Sequence, residues 1–130
     1  MAAFTASPRN SMLDWIDGKT TPAAVATRYI TVFNGDPQGA GSEVISSITG
    51  SANRINMTTA MAAASGGSAS SNADITFTTS ATGSATVNFV AVYDAITAGN
   101  LFASASVTSK SITSGDSLKI LSGNLTFSIT

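Results

Sequence analysis

Apolar and polar residues alternate along the last third of the chain. In residues 87–93 both alternating sets are largely apolar, which predicts a strand that is covered on both faces. Residues 94–100 contain the Asp, Gly and Asn that are typical of a hairpin turn. Residues 101–108 then place Leu101, Ala103, Ala105 and Val107 on one face and Ser and Thr on the other. Two shorter alternating segments follow, 118–120 and 125–130, so we expect an antiparallel sheet.

Upstream, the strand patterns are shorter and turns interrupt them. β-branched and aromatic residues predict strands over 25–34 and 74–79, and weaker patterns predict short strands over 43–48 and 52–59. Residues 60–71 allow either a helical turn or a mobile loop, and their glycines and serines favour the loop. The expected fold is therefore all-β: an antiparallel β-sandwich, Ig-like or jelly-roll-like, of seven or eight strands.

The N-terminal segment carries the clearest helical pattern. Residues 1–11 are small and polar, which predicts an extended arm that needs a partner to become ordered. Asn10 or Ser11 is a candidate N-cap, with an acid three residues after Ser11, and Gly18 ends the pattern, so we expect a short helix over 11–17. The predicted domains are thus the arm and one β-sandwich domain, 12–130, which includes this helix.

Composition narrows the functional classes. The 130-residue chain has no Cys and no His, which removes disulfides, thiolate chemistry, the commonest general base and the commonest transition-metal ligand. Six basic residues are scattered in a chain of net charge −1, which gives no electrostatic footprint for nucleic acid. No apolar run approaches the ~18 residues of a membrane span. Only 10% of residues are charged, against about 25% in ordinary domains, which predicts a surface open to association.

The remaining side chains form no catalytic pattern. Serine catalysis would need a lysine or a carboxylate as its base, and no lysine lies in a Ser-x-x-Lys arrangement. The acids Asp36, Glu43, Asp94 and Asp116 sit in or beside predicted turns, where acids are ordinarily solvated. No Asp-x-Asp-x-Asp calcium loop is present. We therefore predict that the protein is not an enzyme and that it has no cofactor and no metal site.

Turn and core positions over most of the chain resemble a known family. The segment RYITVFNGDPQGAGSEV places Asp36, Pro37, Gly41, Glu43 and Val44 after a strand that ends in an aromatic residue. The other matching positions are Tyr93-Asp94-Ala95, Gly99-Asn100-Leu101, Lys110, Ile112, Gly115-Asp116 and Gly123-x-Leu125-Thr126. These features are similar to small virion proteins of tailed bacteriophages, often described as tail-fibre-like. The middle of the chain departs from that pattern, because it lacks the family's glycine-rich Tyr-Ala-Arg segment and central tryptophan.

The resemblance implies a non-enzymatic virion component. We favour a decoration or cement protein that binds the outer surface of the major capsid lattice and stabilises the head. The alternative is a tail or tail-fibre component involved in host attachment. A carbohydrate-binding module is a third class, but of nine aromatic residues only Phe4 and Trp15 lie outside predicted strands.

The expected partners are the major capsid protein and copies of the chain itself, in a dimer or trimer, with no nucleic acid and no membrane. The expected location is the capsid surface of the virion, after assembly in the host bacterial cytoplasm. Contacts are expected at the N-terminal arm, which would gain order on a partner, and at the loop over 60–71. The predicted partner-binding residues are Phe4, Pro8, Arg9, Met12, Trp15 and Met61.

Overall fold

The computed structural model describes residues 3–21 and 27–128. Its strands are β1 (Ala3–Phe4), β2 (Tyr29–Phe33), β3 (Ile55–Asn56), β4 (Ser68–Ser70), β5 (Ile75–Thr78), β6 (Ala85–Tyr93), β7 (Leu101–Ile112), β8 (Leu118–Ile120) and β9 (Thr126–Ser128). Its helices are α1 (Ala6–Ile16), α2 (Ile45–Thr49) and a single 3₁₀ turn (Thr58–Ala60).

The strands form one large and two small antiparallel sheets. The large sheet has the order β1-β7-β6-β2-β3, and the small sheets are β4-β9 and β5-β8. All of the pairings are antiparallel, so the predicted mostly-β antiparallel fold with a short N-terminal helix is confirmed. The arrangement is sandwich-like, because the small sheets and α2 pack over one face of the large sheet.

The core lies between these two layers. Ile30 and Val32 of β2 and the valines of β6 point from the large sheet towards the second layer, which contributes Ile45, Ile48 and Ile75. Burying an isoleucine or valine side chain contributes about 1.5–3 kcal/mol, so this cluster is the main stabilising term. The members of the buried cluster are Ile30, Val32, Val44, Ile45, Ile48, Met57, Ala60, Ile75, Phe77, Ala81, Val87, Val90, Val92, Ile112 and Leu125.

Strands β6 and β7 pair over most of their length, with two shifts in register. The first shift falls between Val87 and Phe89, where β7 contributes two additional residues. Val87 and Val90 both belong to the core although they are three residues apart, so the strict alternation predicted for residues 87–93 is wrong near Asn88. The prediction that this strand is covered on both faces holds, since Val90 and Ala91 are both buried.

Residues 43–48 do not form the predicted edge strand. Ile45 and Ile48 lie three residues apart, so one helical turn puts both of them into the core, and each is at most 1% exposed. Gly50 ends the turn in the left-handed conformation with φ of 74°, the usual glycine C-cap. Packing of two isoleucines on one helical face has overridden the β propensity of the segment.

The N-terminal segment is ordered differently from the prediction. Helix α1 begins at Ala6 instead of Ser11, so the extended arm predicted over 1–11 is wrong for its second half. Pro8 is compatible with this start, because a proline in the first turn removes only a donor that has no helical partner. Ala3 and Phe4 pair with β7, and Thr5 Oγ1 donates a 2.6 Å hydrogen bond to the Leu101 carbonyl. Residues 1 and 2 lie outside the described residues.

Three other predicted segments are shorter or differ in detail. The strand expected over 25–34 is β2, and residues 25 and 26 fall outside the described part. The strand expected over 52–59 is reduced to β3, after which the 3₁₀ turn begins. The loop expected over 60–71 contains β4, which pairs with β9. Serine-rich segments can form such a strand, because every residue still has a backbone N–H and C=O that can hydrogen-bond to a neighbouring strand.

Candidate contact surfaces

The predicted partner-binding residues separate into two surfaces. Phe4 and Met61 are both half-buried and line one apolar cleft. Met12, Trp15 and Arg9 lie on helix α1, which does not line that cleft in the described residues. Of the predicted residues in α1, Pro8 is buried, Met12 is half-buried, and Arg9 and Trp15 are exposed.

The C-terminal half of α1 presents apolar side chains to solvent. Leu13 is 60% exposed, Trp15 60% and Ile16 74%, and we call these three residues the helix patch. At about 100° per residue, they occupy an arc of about 160° around half-buried Met12. Pro8, which is buried, and Met12, which is half-buried, lie four residues apart on the same side of the helix. Burial therefore decreases along this side of the helix, and its C-terminal end exposes apolar side chains.

Two carboxylates border the helix patch. Asp14 and Asp17 are exposed, and among the described residues neither has a cation within 4 Å. They stand at the C-terminal end of α1, where no basic residue is present in the last turn. Negative charge at a helix C-terminus is unfavourable, because the helix dipole is negative there. The end of α1 therefore combines exposed apolar groups with two carboxylates that form no ion pair among the described residues, although the Lys19 backbone amide donates a 3.3 Å hydrogen bond to Asp17.

The apolar cleft lies where β1, β7 and β9 approach the 3₁₀ turn. Its volume is about 340 Å³, and we define it by its lining residues: Phe4, Arg28, Met57, Thr58, Met61, Ala69, Val92, Phe102, Ala103 and Phe127. The rings of Phe4 and Phe127 are 6.2 Å apart and tilted by 34°, so they form one wall. Methionines are adaptable side chains that suit a surface which repacks around an apolar group.

Arg28 places a positive charge at this cleft. Its guanidinium carbon lies 4.1 Å from the centre of the Phe102 ring, which is cation–π geometry. Burial lowers the pKa of Arg28, and the charge of Asp94 partly opposes this. Among the described residues, no carboxylate comes within 4 Å of the Arg28 guanidinium. The cleft therefore offers apolar walls and one cation without an ion-pair partner.

A second cavity is chemically different. It has a volume of about 460 Å³ and lies between β7 and the segment over 119–126, with polar and apolar groups in similar proportion. Its cation, Lys119, already pairs with Asp74 at 3.3 Å. Hydrogen bonding from the Ser122 backbone, and then from Lys119, lowers the pKa of Asp74. The charge in this cavity is thus satisfied within the chain.

The side chain of Arg54 anchors the turn between β6 and β7, residues 94–100. This residue is 7% exposed, and its guanidinium makes a two-point ion pair with Glu43 at 2.9 and 3.0 Å. Its Nη1 donates to the carbonyls of Ala95 (3.1 Å) and Ala98. The guanidinium also lies 3.6 Å from the centre of the Tyr93 ring, so one side chain connects two loops and a strand.

The same turn is closed by its own side chains. Asp94 accepts hydrogen bonds from the backbone and side-chain amides of Asn100 at 2.7 and 2.9 Å, which lower the pKa of Asp94. Ala98 and Gly99 have φ of 53° and 78°. A Cβ on Gly99 would overlap the Asp94 carboxylate, so glycine is required there. Ile96 stands 43% exposed on this rigid turn.

Within the described residues, no three His, Cys, Asp or Glu side chains are grouped as a metal site would need. No helix in the described part of the chain is both long enough and apolar enough to cross a membrane.

Taken together, these features define a small β-rich protein with exposed apolar side chains at one helix end and an apolar cleft. A sequence-family model described as Podophage GP4 fiber I protein gp80 matches residues 3–128. The chain belongs to this family of phage fibre proteins. The resemblance to small virion proteins of tailed phages is thereby confirmed, and the protein is a phage structural protein. No curated protein matches the sequence.

Sequence reasoning located part of these surfaces. It identified Trp15 by its position in a short helix, and the apolar spacing on either side of it contains the signal for Leu13 and Ile16. It missed Arg28 and Phe102. These two residues are 74 positions apart in the chain, and only the pairing of the large sheet brings them together, so no local pattern could have found them.

Proposed function

We propose that the protein is a structural subunit of a fibre on a tailed-phage particle, and that it acts by binding neighbouring virion proteins without catalysis. The observation that carries this proposal is the family match over residues 3–128, whose printed description is a fibre protein. It favours the alternative role predicted from the sequence, a tail or tail-fibre component, over decoration of the head.

The surface supports a contact role. Only 10% of the residues are charged, and the largest exposed apolar side chains include three on one helix end. Apolar groups grouped on a surface, as in the helix patch, mark sites of association. The predicted partners, the major capsid protein and copies of the chain, remain proposals.

Location and abundance in purified particles test the proposal. Quantitative mass spectrometry would give the copy number relative to the major capsid protein, and gold-labelled antibodies would show the position. A fibre subunit is expected at far lower abundance than the major capsid protein, with gold at the fibres. Labelling spread over the head, at a copy number comparable with the capsid protein, would overturn the fibre role and favour head decoration instead.

A further inference from the structure

The helix patch and the apolar cleft complement each other in hydrophobicity and in charge. The helix end offers Trp15 and Ile16 beside two carboxylates that have no ion-pair partner among the described residues. The cleft offers apolar walls beside Arg28, which has no carboxylate within 4 Å among the described residues. No residue of α1 lines the cleft of its own chain in the described part.

We propose that helix α1 of one copy docks in the apolar cleft of a second copy. Trp15 and Ile16 enter the cleft, and Asp14 or Asp17 pairs with Arg28 of the second copy. This contact does not depend on where the protein lies in the particle, so it stands or falls separately from the fibre role.

The charges of the apolar cleft and of α1 favour a second copy of this chain as the partner that binds in the cleft. The cleft fits a group that is apolar and anionic at once, and the end of α1 supplies both properties within five residues. The carboxylates at the helix C-terminus are unfavourable in the isolated chain, and a cation from the second copy would offset that cost. In the larger cavity Lys119 already pairs with Asp74, so the lysine of that cavity is not a cation without an ion-pair partner.

Such a contact is heterologous, because it joins two different surfaces. Each copy keeps a free helix at one side and a free cleft at the other. Heterologous contacts close into rings when the rotation allows it and otherwise grow into open chains. Self-association through these surfaces is therefore expected to pass beyond the dimer.

Sedimentation of the full chain over a concentration series tests the contact. The wild-type protein is expected to form species larger than a dimer at protein concentrations below about 1 mM. The double variant Trp15→Ser/Ile16→Ser should weaken association about a hundredfold, since two buried apolar side chains are lost. The matched control is Leu121→Ser, which removes an apolar side chain that is 49% exposed and lies on neither surface. It should associate like the wild type.

Mixing two variants separates this contact from a symmetric one. Arg28→Glu damages the cleft and leaves the helix intact, whereas Trp15→Ser/Ile16→Ser does the reverse. Each variant alone should be monomeric, and an equimolar mixture should form a 1:1 dimer and nothing larger. A symmetric helix-to-helix contact would leave Arg28→Glu unchanged and give no dimer on mixing, and either result would overturn the proposal.

Charge reversal provides a readout that misfolding cannot imitate. Arg28→Glu should weaken association about a hundredfold, because it places like charges opposite each other across the contact. Adding Asp14→Arg and Asp17→Arg to the same chain should restore most of it, and thermal unfolding of every variant confirms the fold. Wild-type protein that is monomeric at all concentrations, or absence of rescue in the reversed variant, would contradict docking between copies.

Discussion

Arg54 is expected to be the most sensitive polar residue of this fold. Its side chain is 6% exposed and that of its ion-pair partner, Glu43, is 27% exposed. Removing one partner of a buried pair costs about 3–5 kcal/mol, because the other charge is left without compensation. Glu43 keeps some access to water, so we place Arg54→Met at about 3 kcal/mol, near the lower end of that range.

This loss is large but should leave the protein folded. Domains of this size have unfolding free energies of about 5–15 kcal/mol. A loss of 3 kcal/mol corresponds to a drop in Tm of about 10 °C. Calorimetry and urea unfolding would measure the change, and amide exchange should show faster opening of the turn over 94–100, whose carbonyls lose their donor.

Two further variants decide whether the ion pair is the cause. In Arg54→Met/Glu43→Gln no charge is left unpaired, so the double variant should be more stable than Arg54→Met alone. Arg54→Lys keeps the charge but not the planar two-point geometry, so it should lose much of the same stability. Arg9→Met, at an exposed helix position, is the matched control and should change stability by less than about 0.5 kcal/mol. An Arg54→Lys protein as stable as the wild type would refute the reasoning.

Three other predictions concern the core, a tight turn and acid. Ile45→Ala should cost about 2–5 kcal/mol in urea unfolding because that side chain is 1% exposed, whereas Ile16→Ala, at 74% exposure, should be nearly neutral; equal losses would contradict the burial. Gly41→Ala should cost about 1–3 kcal/mol, since its Cβ would overlap the facing backbone, while Gly39→Ala meets nothing nearer than 3.7 Å and should fold normally. The pKa of Asp94 is lowered in the folded protein. The ionised Asp94 side chain therefore stabilises the fold above its unfolded pKa of about 4, and this stabilisation is lost as the pH falls through the folded pKa. Asp94→Asn should have a lower Tm at neutral pH, and its Tm should fall less steeply with acid than that of the wild type; an unchanged slope would contradict this.

Local patterns predicted the parts of the fold that local chemistry determines. The alternation in β6 and β7 and the Asp, Gly and Asn of the turn between them are visible in any short window of sequence. The turn appears where it was expected, with Asp94 bonded to Asn100. The predicted short N-terminal helix is also present, although it begins at Ala6 and not at Ser11.

Features that depend on distant residues could not be read from such windows. The helical turn α2 exists because Ile45 and Ile48 reach the core together, which a β-prone five-residue segment does not reveal. The change of face near Asn88 coincides with a shift in the pairing register between β6 and β7, which no single short segment contains. The apolar cleft likewise needs β1 and β9 to meet at β7, so its residues share no sequence motif.

A side-chain-resolution cryo-EM map of the intact particle tests the fibre role most directly. We expect the fold in the fibres, at positions set by neighbouring virion proteins, and absent from the outer capsid lattice. The same map would show whether Trp15 of one copy lies beside Phe102 of the next. Density for this fold repeated over the capsid lattice, and none in the fibres, would contradict the proposed function.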